Sequence, residues 1–391
     1  MKSVLKDITR FSFPTLIVFG PGAVASLPDC LSETGIQKPL LVTDPGLVKT
    51  AAFTKVQEAL KGKHSMIPIF SGVHPNPVEE DVEQAGAQFR SNGCDGVIGL
   101  GGGSALDVAK AVAVRVTHDG PLARYEAQAG GYLLITGPLP PVIAIPTTAG
   151  TGSEVGRSAV ITIPALGRKI VIFSPLLMPQ RAIEDPELTV SLPPLLTAST
   201  GMDAFTHNLE SLTSPVFHPI CDAVALGGLE LVITYLERAV KNGLDLEARG
   251  FMMIAASMGA MAFQKDLGAA HSLAHPLSAE YGMQHGMANA ICLPAVMRFN
   301  REAASKHYAR VAALFGVNTH GMTGVEAADR AIEAVSGLNQ RIGIPARLRD
   351  CGIPEEGLAK LADKAFEDSC HLTNPRPCTR DDLLRLYREC W

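Results

Sequence analysis

The chain has 391 residues, a length that predicts about two domains, and its 47% hydrophobic and 19% charged residues are typical of a globular protein with large cores. A formal net charge of −5 without a long Lys/Arg run argues against nucleic acid or an anionic membrane as a partner. The eight cysteines are scattered without a C-x-x-C pair, which argues against a zinc finger or redox motif and fits a reducing compartment.

The sequence predicts neither a signal peptide nor a membrane-spanning segment. Charged residues at Lys2, Lys6 and Arg10 precede any apolar run, so we predict no signal peptide. The most apolar long segment, 251–263, is too short to span a bilayer and predicts a buried helix. We therefore expect a cytoplasmic protein without a membrane partner.

The first 185 residues alternate short apolar runs with helical patterns. We predict strands at 39–43, 65–70, 96–100 and 142–145, and helices at 51–61, 77–91 and 105–115. Such alternation predicts a parallel, Rossmann-like sheet with helices on both faces.

The pattern changes near Asp185-Pro186, after which strand signals nearly vanish. Helices are predicted at 193–211, 220–241, 246–263, 301–315, 324–342 and 380–389. We therefore predict an α/β dinucleotide-binding domain over 1–187 and an all-α domain over 188–391.

A glycine-rich turn, Gly101, Gly102, Gly103 and Ser104, joins a predicted strand to a helix. Glycines allow close backbone approach to a ligand, and the start of a helix favours a phosphate. Ser104 and Asp107 have capping-box spacing, which predicts that the Ser104 hydroxyl caps the helix. An ordinary βα turn is the alternative that the sequence leaves open.

Two further features follow predicted strands. The segment 146–154 offers Thr147, Thr148 and Thr151, and ligands of parallel sheets bind at such strand ends. Asp44 could bind a ribose and repel a 2′-phosphate, which would favour NAD over NADP. The alternatives are a plain surface loop and a turn aspartate.

Four of the 11 histidines and one aspartate fall into two short segments. Asp203 and His207 are spaced i, i+4 and would share one helix face. His271, His275 and His285 follow within 15 residues. One carboxylate and up to three imidazoles could hold a divalent transition metal. Buried histidines with backbone partners are the alternative.

Taken together and in this order, the motifs resemble the iron-containing (group III) alcohol dehydrogenase family, over essentially the whole chain. The matching segments are 19–23 (FGPGA), 42–44 (VTD), 72–77 (GVHPNP), 101–107 (GGGSALD), 145–154 (IPTTAGTGSE), 200–207 (TGMDAFTH), 274–277 (AHPL), 285–289 (HGMAN) and 374–376 (NPR). The resemblance implies a dehydroquinate-synthase-like fold with the reaction in the cleft between an α/β and a helical domain.

The resemblance also implies roles for individual residues. The implied metal ligands are Asp203, His207, His271 and His285. The implied cofactor residues are Asp44, Asn76, Gly101, Gly102, Gly103, Ser104, Asp107, Thr147, Thr148 and Thr151. His275 would lie near the substrate as the catalytic residue that relays the hydroxyl proton, or would only orient a neighbour.

The implied reaction is reversible hydride transfer between NAD(H) and a small primary alcohol or aldehyde, at Fe(II) with zinc possible, in a homodimer or larger homo-oligomer. Ser278, Gln284 and Gly156 depart from the family pattern, and segment 263–271 is one residue shorter than in the propanediol-type members. This favours as an alternative a short ω-hydroxy acid dehydrogenase of the 4-hydroxybutyrate type.

Two pocket residues and one further lysine complete the predictions. Phe263 matches a position that lines the substrate pocket in relatives, and Lys265 could pair with a substrate carboxylate or be a solvated helix-end charge. Lys169 is a weaker candidate for a contact near the cofactor, with a solvated surface lysine as the alternative. Two other classes stay open: a lyase of the dehydroquinate synthase type, and an inactive metal- or nucleotide-binding protein.

Overall fold

The computed structural model describes residues 13, 15–62 and 66–391. These fall into two compact units. The α/β unit comprises residues 15–192 and 243–253, and the helical unit comprises residues 193–242 and 254–391. The domain limits predicted from the sequence, with a border after residue 187, stay a prediction.

The α/β unit contains a six-stranded parallel sheet in the order β1-β8-β5-β4-β2-β3 and a separate antiparallel hairpin of β6 and β7. The strands are β1 (Leu16–Phe19), β2 (Pro39–Val42), β3 (Ile69–Phe70), β4 (Gly96–Gly101), β5 (Val142–Pro146), β6 (Ser158–Ile163), β7 (Arg168–Phe173) and β8 (Arg181–Glu184). The predicted parallel sheet is confirmed.

Side chains of the central strands alternate between two cores. Leu40 and Val42 of β2 face one hydrophobic cluster, whereas Leu41 faces the other. The helices α3 (Glu79–Ser91) and α4 (Gly103–Arg115) cover the first cluster, and α1 (Leu27–Glu33) and α2 (Ala51–Ala59) cover the second. Because both faces are covered, the strands are apolar without alternation, as parallel strands usually are.

Some elements of this unit were not predicted. β1, β8 and the hairpin are short or half exposed, so their apolar signal is weak. Of the strand predicted at 65–70, the structure has only Ile69–Phe70, and Ser65 lies outside the described residues.

The helical unit is built from α5 (Pro194–Thr213), α6 (Pro219–Lys241), the end of α7 (Leu246–Ala262), α8 (Ala269–Tyr281), α9 (His285–Asn300), α10 (Ser305–Leu314), α11 (Gly324–Arg341), α12 (Leu358–Glu367) and α13 (Arg380–Cys390). α5 packs against α6 and α9, and α8 packs against α9 and α12. α8 and α9 were not predicted, because both are buried nearly all round and each contains an internal proline, at 276 and 294.

Among the described residues one helix, α6, is long and apolar enough to cross a membrane by length and composition alone. A single helix of this kind is weak evidence, because core helices of other proteins pass the same test. Leu229, Val232 and Leu236 of α6 are buried within the protein. The segment 251–263 singled out in the sequence lies in α7 and the turn that follows it.

Candidate active site

The structure brings the four predicted metal ligands together within the helical unit. Asp203 and His207 lie one turn apart on α5, His271 lies on α8, and His285 begins α9. Ligand atoms of Asp203, His207 and His271 lie within 4.8 Å of one another. His285 Nε2 is 3.5 Å from Asp203 Oδ1, so it joins the same cluster.

The approach of α9 to α5 depends on a missing side chain. A Cβ atom on Gly286 would lie 2.1 Å from the carbonyl oxygen of Ser199. No side chain fits there, so the glycine after His285 allows that imidazole to reach Asp203.

The donor set suits a divalent transition metal. One carboxylate and three imidazoles are ligands that Fe(II), Zn(II) and related ions accept. His207 Nδ1 is buried and has no hydrogen-bond partner among the described residues. An unsatisfied buried nitrogen is costly, and a bound cation is a partner that would remove this cost. Metal binding itself stays a prediction.

The charge states of the cluster also suit a cation. Burial, with His207 as a further cause, lowers the pKa of His271 well below its usual value. Burial alone would raise the pKa of Asp203, but the three imidazoles and a hydrogen bond from Asn289 outweigh it and lower that pKa. The neutral imidazole and ionised carboxylate are the forms that bind metals.

His275 lies beside this cluster on α8. Its ring stacks on the His285 ring with centroids 5.2 Å apart. Its Nδ1 is 2.8 Å from Asp368 Oδ2, while Ser272 Oγ donates to Asp368 Oδ1 at 2.7 Å. Asp368 therefore fixes the orientation of the His275 imidazole.

In the α/β unit, the two predicted cofactor loops follow neighbouring strands, β4 and β5. Thr147 N donates to Gly101 O at 2.9 Å, so the loops run side by side. Gly101 has a φ of 148°, and a Cβ on Gly103 would lie 2.7 Å from Thr151 Cγ2. Thr148 lies 3.4 Å from the Cβ position of Gly102. The glycines thus allow a tight turn against the threonines at the carboxyl ends of the strands, where ligands of such sheets bind.

The predicted capping box at Ser104 is wrong. The N-cap of α4 is Gly102, and Ser104 Oγ donates instead to the carbonyl oxygen of Pro75 at 2.7 Å. Asp107 accepts hydrogen bonds from Ser153 Oγ at 2.5 Å and from Val160 N at 2.9 Å. Both side chains are therefore bonded to neighbouring protein segments.

Asp44 is at least a turn aspartate, since its Oδ1 accepts hydrogen bonds from Gly46 N and Leu47 N, each at 2.9 Å. Its Oδ2 faces Gly101, at 3.6 Å from that residue's Cβ position. Within the described residues no hydrogen bond reaches Oδ2, which leaves one carboxylate oxygen for a ribose.

Asn76 and Lys169 form one more polar pair in this unit. Lys169 Nζ donates to Asn76 Oδ1 at 2.9 Å, and burial lowers the pKa of Lys169 to about 8. Lys169 is therefore not the solvated surface lysine that the sequence left as its alternative.

Comparisons with known proteins identify the family of this chain. The model of iron-containing alcohol dehydrogenases matches residues 14–186, and the model of the C-terminal part of the Fe-containing alcohol dehydrogenase family matches residues 197–391. The chain belongs to the iron-containing alcohol dehydrogenase family. It is 42% identical to 4-hydroxybutyrate dehydrogenase of Cupriavidus necator, covering 94% of this chain and 96% of the relative.

Two further relatives resemble this dehydrogenase closely. 1,3-Propanediol dehydrogenase of Klebsiella pneumoniae is 38% identical, covering 97% of each chain. A crystal structure of 1,3-propanediol oxidoreductase superposes with a TM-score of 0.94 at 38% identity, covering 98% of this chain and 100% of the other. The protein is thus an NAD-dependent oxidoreductase that acts on CH–OH groups, and not a lyase.

Sequence reasoning missed Glu210 of this dehydrogenase. Glu210 Oε2 lies 2.6 Å from His271 Nδ1 and accepts a hydrogen bond from Gly268 N, and Oε1 accepts one from Ala270 N. Burial raises the pKa of Glu210 to about 7, against the effect of these hydrogen bonds. By accepting the hydrogen bond of Nδ1, the carboxylate leaves the lone pair of His271 on Nε2, the nitrogen that would bind a metal. The spacing of Glu210 from His207 on α5 was the available signal.

Asn289 was quoted only as part of a motif. Its Nδ2 donates to Asp203 Oδ1 at 2.8 Å and lies 3.2 Å from Nε2 of both His271 and His285. The Asn289 amide therefore holds the carboxylate in its place beside the two imidazoles.

The two predicted pocket residues differ in their surroundings. The Phe263 ring lies 5.4 Å from the His207 ring, beside the metal-site cluster. Lys265 is buried with 2% exposure and is ion-paired with Asp222, so the solvated alternative is wrong. Its ammonium group is already paired, which weakens the proposed role toward a substrate carboxylate.

Proposed function

We propose that this dehydrogenase interconverts short primary alcohols and their aldehydes at one divalent metal ion held by Asp203, His207, His271 and His285. The observation that carries the proposal is the convergence of these side chains in the helical unit, within 4.8 Å for the first three. Fe(II) is the proposed ion because of the family, although zinc accepts the same ligands.

The bound ion would supply a Lewis acid for the substrate oxygen, and NAD+ would accept the hydride. Oxidation of the alcohol also releases a hydroxyl proton. His275, held by Asp368 and 26% exposed at its side chain, is placed to pass this proton to solvent. The Phe263 ring lies 5.4 Å from the His207 ring and gives that side of the cluster an apolar neighbour.

The cofactor loops support NAD(H) as the proposed cofactor. Gly101, Gly102 and Gly103 expose the start of α4 to a pyrophosphate, and the free Oδ2 of Asp44 offers an acceptor to a ribose hydroxyl. A carboxylate in this position disfavours the extra phosphate of NADP.

A short ω-hydroxy acid is the second candidate substrate. Identity of 42% to a relative named 4-hydroxybutyrate dehydrogenase supports it. The pairing of Lys265 with Asp222 counts against Lys265 as the residue that would bind the acid. We further propose a cytoplasmic homodimer or larger homo-oligomer, without nucleic acid or membrane partners.

Consumption of NADH with a panel of aldehydes tests the proposal. Butyraldehyde and succinic semialdehyde differ mainly in the terminal carboxylate, so their kcat/KM ratio separates the two substrate classes. Turnover with either one supports the proposed function, and the larger kcat/KM identifies the class. Failure of the metal-loaded protein to turn over any short aldehyde would overturn it.

A further inference from the structure

A second group of metal-ligand side chains lies next to the proposed active site. One ligand atom each from His275, Asp368 and Cys370 lies within 4.8 Å of the others. Among the described residues, this group and that of Asp203, His207 and His271 are the two sets of three or more such residues that lie so close together.

Within this second group, hydrogen bonds join side chains that could also bind a shared cation. His275 Nδ1 lies 2.8 Å from Asp368 Oδ2, and Cys370 Sγ lies within 4.8 Å of a ligand atom of each of these two residues. The backbone N of Cys370 also donates to Asp368 Oδ1 at 2.9 Å, which holds the two residues together. Two ligand atoms bound to one ion at about 2.1 Å are about 3 to 3.5 Å apart. Small movements of three side chains would therefore bring an ion between them.

We propose that His275, Asp368 and Cys370 form an accessory site for a thiophilic divalent cation such as Zn²⁺, and that its occupation inhibits the enzyme. Thiolate, imidazole and carboxylate together select Zn²⁺, Cd²⁺ or Co²⁺ and not Mg²⁺ or Ca²⁺. On binding, the Cys370 S–H bond breaks, its proton goes to solvent, and sulfur binds the ion. The proton on His275 Nδ1 moves to Nε2 through solvent if Nδ1 is the ligand.

Charge explains why the group can take a divalent ion. One thiolate and one carboxylate neutralise the two positive charges, so the filled site is neutral in a mostly buried place. Burial and the Asp368 charge raise the pKa of the Cys370 thiol well above its usual value. Because the ion must displace this proton, the raised pKa weakens the binding of the cation.

Inhibition follows from the position of His275. A cation bound to this imidazole prevents it from exchanging a proton with the substrate, and it locks a ring that stacks on His285 at 5.2 Å. This part rests on the proposed function, whereas binding of the cation does not.

Titration of the metal-loaded holoenzyme with Co²⁺ tests the binding. A thiolate-to-Co²⁺ charge-transfer band reports the accessory site alone, because the first site has no cysteine. We expect the wild type to bind one further equivalent of Co²⁺ and to show this band. Cys370→Ser should lose the further equivalent and the band, and Cys351→Ser should keep them. Cys351 is a partly buried thiol of the helical unit outside either group. A band that is absent from the wild type, or that persists in Cys370→Ser, overturns the proposal.

Asp368→Asn provides a second variant if Cys370→Ser does not fold. It keeps an acceptor for Cys370 N but loses the charge, so the Co²⁺ affinity should fall about 10-fold or more. For inhibition, we expect Cys370→Ser to raise the half-inhibitory Zn²⁺ concentration about 10-fold or more, with Mg²⁺ without effect on either protein. Unchanged Zn²⁺ inhibition in this variant would overturn the inhibitory role. If the proposed function is wrong, the wild type turns over no short aldehyde, but it still shows the Co²⁺ band.

Discussion

The proposed metal site is built mainly from side chains, whereas the proposed cofactor site is built mainly from the backbone. In the helical unit, ionisable side chains from α5, α8 and α9 converge, and Glu210 and Asn289 hold two of them in place. In the α/β unit, the backbone turns after β4 and β5 make the proposed cofactor site, and side chains such as Ser104 and Asp107 are bonded to neighbouring protein segments. The proposed metal site therefore depends on side-chain chemistry, and the proposed cofactor site depends on backbone conformation.

The comparison predicts the largest effect for loss of a metal ligand. His271→Ala should weaken metal binding by about 100-fold or more, because each ligand supplies a large share of the coordination. Metal analysis after equilibrium dialysis measures this. His320→Ala, at an exposed histidine of the helical unit, is the matched control. Wild-type occupancy in His271→Ala would remove this residue from the ligand set.

A smaller loss of metal affinity is expected at Glu210, which contacts the predicted ligand His271. Glu210→Gln should lower metal affinity about 10- to 100-fold, since the amide cannot accept from Gly268 N, Ala270 N and His271 Nδ1 all at once. Competition with a chelator gives the affinity. Glu333→Gln, at an exposed glutamate, should leave it unchanged. Equal affinities in the two variants would show that Glu210 is only a structural residue.

We expect the buried Lys265 of the helical unit to affect the stability of the protein and not its choice of substrate. Lys265→Met leaves Asp222 without its ion-pair partner. Breaking a fully buried pair lowers the free energy of unfolding by about 3–5 kcal/mol. Because the Asp222 side chain is 33% exposed, we expect a loss of about 2 kcal/mol. Urea unfolding measures it, with Lys241→Met as the surface-pair control. A selective rise in KM for succinic semialdehyde over butyraldehyde would instead support a substrate role.

The smallest effect is expected in the cofactor loops. Asp44→Asn keeps an oxygen for the amides of Gly46 and Leu47 but loses the charge. The preference for NADH over NADPH should narrow about 5-fold, because a partly exposed charge is worth about 1 kcal/mol. The ratio of kcat/KM values measures it, with Asp29→Asn as the control. An unmoved ratio would make Asp44 a turn residue alone.

The same contrast explains what could be predicted from the sequence. The i, i+4 spacing of Asp203 and His207 is local, and it indicates a shared helix face without any structure. Glu210 and Asp368 act through residues 61 and 93 positions away. The i, i+3 spacing of Glu210 from His207 was a weak local signal, whereas nothing near Asp368 marks it. The Ser104 prediction was wrong for the same reason, because the carbonyl oxygen of Pro75, 29 residues away, takes the hydroxyl.

Long-range packing also explains the incomplete prediction of the fold. The strands β2, β4 and β5 are fully buried apolar runs and could be recognised one at a time. β1 and β8 pair with each other across more than 160 residues and carry polar or exposed positions, so only the assembled sheet defines them.

Titration of metal-free protein with Fe²⁺ under anaerobic conditions, with NADH oxidation by a short aldehyde as the readout, tests the central claim most directly. We predict that activity is absent without metal, rises in proportion to added ion and reaches its maximum at one ion per chain. Full activity in the metal-free protein, or a maximum that His271→Ala shares with the wild type, would contradict the assignment of Asp203, His207, His271 and His285 as the catalytic metal centre.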